Sequence, residues 1–80
     1  MSTTQAVDAA NDAALVRMAN QIAANLAYLP PTEAADTVAG HLRSFWTPAM
    51  RVALQRLATD EPASLDPLVL AAVEDLTHSG

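Results

Sequence analysis

Apolar residues recur along this chain at helical spacing, and prolines break the pattern into segments. Leu15, Met18, Ile22, Leu26 and Leu29 follow one another at intervals of three and four, which places them on one face of a helix. Asn11 or Asp12 can cap its start, and Pro30-Pro31 stops it near Tyr28, because a residue before proline avoids helical geometry and neither ring nitrogen donates a hydrogen bond. Thr32 is the expected cap of a second helix, with Glu33 and Asp36 early, where the helix dipole favours negative charge. Its stripe is Ala35, Val38, Ala39, Leu42, Phe45 and Trp46. Gly40 interrupts it at roughly 1 kcal/mol relative to Ala. Either that cost is tolerated or another backbone approaches closely there.

Thr47-Pro48 restarts the helix almost without a loop. Thr47 can accept from backbone amides as an N-cap, and Pro48 suits the first helical position, where its missing N–H is not needed. The third helix is expected to reach about Ala58, with Met50, Ala53, Leu54 and Leu57 facing the core. A solvated turn follows over 59–64, then Asp66-Pro67 repeats the cap-then-proline signal, and Leu68, Val69, Ala72, Val73 and Leu76 form a fourth stripe. No segment alternates apolar and polar residues long enough for a strand. The pattern therefore predicts an all-α fold, a compact bundle of four short helices with tight Pro-marked turns. Its organisation reads as a disordered polar arm over 1–11, one helical domain over 12–77 and a tail over 78–80.

Composition sharpens this reading. Of the 80 residues 51% are apolar, and eighteen of those are Ala, the strongest helix former and a poor filler of core volume. A chain this short buries a modest fraction of its surface, roughly 60 to 65%. The absence of Cys removes both disulfides and thiolate metal sites, and the first residues lack the basic and apolar regions of a secretory signal, so a cytoplasmic location is expected. Four Arg, no Lys and nine acids give a net charge of −5, which disfavours nucleic acid and anionic membrane surfaces as partners.

The residues hold little catalytic chemistry. His41 and His78 lie far apart in sequence, and no H-x-x-x-H or E-x-x-H pair seeds a zinc site. Asp60-Glu61 and Glu74-Asp75 are sequence neighbours, so on a helix they point about 100° apart and form no acid/base dyad. With two glycines there is no phosphate loop. No catalytic residue, cofactor site or metal site is expected in this chain.

One stretch stands out, 41–51, which holds the only Trp, the only Phe and two of the four Arg residues. Aromatics on a helical stripe usually belong to the core, which makes Phe45, Trp46 and Met50 candidates for holding the fold. Trp and Arg are also the residue types most enriched at binding hot spots, and Arg43 falls about 60° from Trp46 on a helical wheel. His41, Arg43, Trp46, Pro48 and Arg51 are accordingly the candidate partner-binding residues, with Arg43 and Arg51 facing outward. Val16, Tyr28, Val52 and Leu70 fall off their stripes and would mark an interface if gathered on one surface.

The segments Leu15-Val16-Arg17-Met18-Ala19-Asn20-Gln21-Ile22-Ala23, His41-Leu42-Arg43-x-Phe45-Trp46-x-Pro48-x-Met50-Arg51 and Leu65-Asp66-Pro67-Leu68-Val69 through Ala72-Val73 resemble the delta subunit of the NAD-dependent, molybdenum-containing formate dehydrogenases. The resemblance covers about 15–76, and the departures lie before Asp12 and in the Pro30-Pro31 linker. It implies a cytoplasmic, non-catalytic accessory subunit that binds and stabilises the large (alpha) subunit, or assists its maturation. Molybdenum cofactor, iron–sulfur clusters, FMN and NAD would then belong to partner subunits. A free-standing homodimeric helical interaction module is the alternative expectation. A small enzyme or metal carrier fits the residues least.

Overall fold

A computed structural model describes the backbone of residues 2–79 and the side chains of residues 11–77. It contains four α-helices, α1 Ser2–Asn25, α2 Pro31–Phe45, α3 Pro48–Asp60 and α4 Pro67–Ser79, with a 3₁₀ turn at Pro62–Ser64. No strand occurs among the described residues, so the all-α expectation holds. α2 and α4 make the most extensive pairing, and α1 and α3 pack across them.

Helix boundaries follow the prolines closely and the polar caps less so. The backbone of α1 is already helical at Ser2, where an irregular arm up to residue 11 was expected. Ala6, Ala9, Ala10, Ala13 and Ala14 make helix inexpensive there. Asn11 and Asp12 therefore lie within the helix and cap nothing. α1 ends at Asn25, short of Tyr28, and turns follow in which Leu26 N–H reaches Ala23 O at 3.1 Å and Leu29 N–H reaches Leu26 O at 3.1 Å. Side chains of the arm, and those of the tail over 78–80 including His78, lie outside the described residues.

Thr32 is not the cap of α2. The capping position is Pro30, extended at φ −55° and ψ 145°, and its carbonyl accepts from Ala34 N–H at 2.8 Å. The geometry follows from Pro31, which keeps its predecessor extended and fits the first helical position. Thr32 is thereby drawn into the first turn. At the other two starts the cap-then-proline reading holds: Thr47 Oγ1 accepts from Met50 N–H at 3.2 Å, and Asp66 Oδ1 accepts from Leu68 N–H at 2.9 Å.

Leu42, Leu54, Leu57, Val38 and Val69 are the largest fully buried side chains, joined in one core by Leu15, Trp46, Leu65, Val73 and Leu76. On α1 the buried seam is Leu15, Ala19 and Ala23; Ile22 and Leu26 flank it, while Met18 is 44% exposed. The expected stripe was drawn through the large residues. Small Ala side chains let the neighbouring helices approach closely, so the seam keeps Leu15 and is rotated from the stripe of large residues by roughly 60°. Gly40 faces open space, since a Cβ built there meets nothing within 4 Å. Its propensity cost is simply carried, without a close backbone contact.

Candidate interaction surface

The corner between α2 and α3 is made of two extended residues. Trp46 sits at φ −92°, ψ 144° and Thr47 at φ −71°, ψ 158°, and Pro48 then opens α3. Trp46 N–H still closes a helical bond to Leu42 O at 3.0 Å, and Arg51 N–H reaches Thr47 O at 3.1 Å. Both helices are thus capped within the span of the motif itself.

Arg51 does not face outward as expected. Its Nη1 donates to Trp46 O at 2.9 Å, with longer contacts to Arg43 O at 3.2 Å and Leu42 O at 3.4 Å. These carbonyls lie at the C-terminal end of α2, where the helix dipole is negative and, beyond Leu42 O, intrahelical partners run out. One turn into α3, a side chain of this length reaches back across the corner and ties the two helices together.

The two aromatics part company. Trp46 is 5% exposed and belongs to the core, whereas Phe45 is 75% exposed, against the expectation that both hold the fold. Phe45 is the last residue of α2 whereas Trp46 is already extended, so the two side chains leave the backbone in different directions and only Trp46 reaches the core. Phe45 instead lies against His41 one turn earlier, with ring centroids 4.8 Å apart and the planes inclined at 41°. His41 is half-buried, Met50 packs on the core from its edge, and Pro48 is exposed at the start of α3. Val16 and Leu70 also pack against the core, while Tyr28 and Val52 are exposed.

Arg43 is exposed, and its charge acts on Asp36 two turns earlier on α2. Asp36 also shares a side-chain hydrogen bond with Asp75 of α4, and that bond, together with desolvation and the repulsion between the carboxylates, holds its pKa above the usual carboxylate value. Arg43 opposes the shift without cancelling it. Two carboxylates that meet between helices favour a shared proton.

Shallow grooves border α1, two of them lined by Met18. One, of about 770 Å³, runs between α1 and α3 and is lined by Ala14, Leu15, Met18, Met50 and Ala53, with Asp12 and Arg56 at its edge. Those two side chains form an ion pair at 3.0 Å, which fixes α1 against α3. The other, of about 480 Å³, lies between α1 and α2, lined by Arg17, Met18, Gln21, Ile22, His41 and Trp46. Met18 borders both. A further α1 residue, Asn20, holds the loop before α4: Asp66 N–H donates to its Oδ1 at 2.8 Å, and its Nδ2 donates to Ser64 O at 3.0 Å. No local sequence rule marks Asn20, because its partners are more than forty residues away.

Among the described residues no three His, Asp or Glu side chains come together as a metal site, and no helix is long and apolar enough to cross a membrane. The surface offers shape, an exposed aromatic and one cationic rim. No curated protein and no solved structure matches the chain. The family model for the NADH-dependent formate dehydrogenase delta subunit FdsD matches residues 14–73. That span runs from the start of the buried α1 seam to the middle of α4 and takes in the whole corner. With three quarters of its length inside the match, this chain belongs to the formate dehydrogenase delta subunit family FdsD.

Proposed function

We propose that the chain is a non-catalytic accessory subunit of a cytoplasmic, NAD-dependent formate dehydrogenase, and that it binds and stabilises the large molybdenum and iron–sulfur subunit or assists its maturation. The match over residues 14–73 carries this reading. A chain without Cys has no thiolate for an iron–sulfur cluster, and the proposal assigns the clusters, with molybdenum cofactor, FMN and NAD, to the partner subunits. Of the five candidate contact residues, His41, Arg43 and Pro48 are at least partly exposed, and the proposal assigns direct partner contact to them. Trp46 and Arg51 act by holding the corner that presents Phe45 and His41.

The test is to purify the complex from cells in which this chain is deleted. Loss of assembly, stability or cofactor content in the large subunit, restored by adding the chain back, supports the role. Unchanged assembly and activity would overturn it. Sedimentation of the isolated chain addresses the alternative, a free-standing homodimer, because a stable dimer with no affinity for the large subunit is what that reading requires.

A further inference from the structure

We infer that the groove between α1 and α2 is where the partner docks, and that it takes a segment of the large subunit presenting an apolar side chain next to a carboxylate. The inference rests on the proposed role and adds the site and the chemistry of its occupant. Charge distribution carries it. The chain bears −5 overall, yet no acidic residue lines this groove, whose floor of Met18, Ile22 and Trp46 is edged by Arg17 and His41.

The four arginines are not equivalent. Arg56 is neutralised by Asp12 at 3.0 Å, the Arg51 guanidinium is directed at α2 carbonyls, and the Arg43 charge acts on Asp36. Arg17 is exposed and has no ion pair or hydrogen bond among the described residues. A guanidinium beside exposed Met18 and half-buried Ile22 is complementary to a carboxylate that follows or precedes an apolar anchor. Exposed Phe45, its ring tilted against the His41 of the same groove, extends the apolar surface towards the corner. The neighbouring α1–α3 groove lacks this net charge, because its Asp12 and Arg56 cancel each other.

The experiment measures binding of the full chain to formate dehydrogenase complex purified without it, for the native chain and for Arg17→Glu, Arg17→Lys and Glu74→Lys, each checked for native helicity by circular dichroism. Arg17→Glu should weaken binding about tenfold or more, with the loss reduced at high salt, while Arg17→Lys and Glu74→Lys stay within about threefold. Native-like binding of a folded Arg17→Glu chain would overturn the groove and leave the accessory role intact. Failure of the native chain to bind would overturn the accessory role itself, and the inference with it. If the isolated chain dimerises and Arg17→Glu abolishes the dimer without changing affinity for the complex, the occupant is a second copy, and the inference fails.

Discussion

The guanidinium of Arg51 donates a 2.9 Å hydrogen bond to the main-chain carbonyl of Trp46, so that the last residue of the family motif caps the helix that begins it. The bond is partly buried and charge-assisted, and hydrogen bonds of that kind contribute about 1.5–3 kcal/mol each. Arg51→Ala should therefore lower stability by about 1.5–3 kcal/mol in urea unfolding. Arg51→Lys should recover part of it, since an ammonium keeps the charge but cannot spread several donors over the helix end. An Arg51→Ala chain of native stability would refute the cap.

Trp46 and Phe45 should respond oppositely to truncation. Trp46→Ala opens a cavity in the core and is expected to cost about 3–5 kcal/mol, close to the whole stability of a domain this small. Phe45→Ala should change the melting midpoint little and weaken capture of the large subunit instead. A binding titration beside a thermal melt separates the two effects.

Asn20 joins α1 to the loop before α4 by one accepted and one donated bond. Asn20→Ala is expected to cost about 1–2 kcal/mol. Asn20→Asp should also destabilise, because a carboxylate can still accept from Asp66 N–H but repels Ser64 O. Hydrogen exchange at the Asp66 amide reports the loss directly.

At Gly40 the sign reverses. A methyl group added there meets no atom within 4 Å, so Gly40→Ala should raise stability by about 0.5–1 kcal/mol through helix propensity. Chemical denaturation midpoints are sufficient to measure it.

The Asp36–Asp75 contact makes stability depend on pH. Asp36 has its pKa raised in the folded chain, so the folded state holds that proton more tightly than the unfolded one. Stability from this source is present at low pH and is lost as pH rises through the raised value. Asp36→Asn keeps a donor towards Asp75 and removes the titration. The melting temperature of the native chain relative to Asp36→Asn should fall as pH increases from below the ordinary carboxylate range to neutrality; a constant difference would show that the contact contributes no linkage.

Cap and proline signals were legible in the sequence because they act within three or four residues. Thr47 to Met50 and Asp66 to Leu68 are such cases, and so is the break at Pro30-Pro31. The all-α class and the family segments follow from the same local information. Even there, Pro31 prevailed over Thr32 as the determinant of the α2 start, since a fixed backbone angle outweighs an optional side-chain bond. The relationships that define the surface are of another kind. Phe45 and Trp46 share a stripe on paper, and only the break of α2 after Phe45 and the packing at the corner put one in the core and the other in solvent. Arg51 meets the α2 carbonyls because of the angle at the corner, Asn20 meets the loop across forty-four and forty-six residues, and Asp12 pairs with Arg56 of another helix. Each depends on how helices lie against one another, which is set by the summed packing of small seams such as Ala19 and Ala23 and is carried by no single local motif. By itself the sequence determined the helix class, the proline breaks and the family; the tertiary structure decided which of the motif's residues hold the corner and which are exposed, because that depends on how the helices pack.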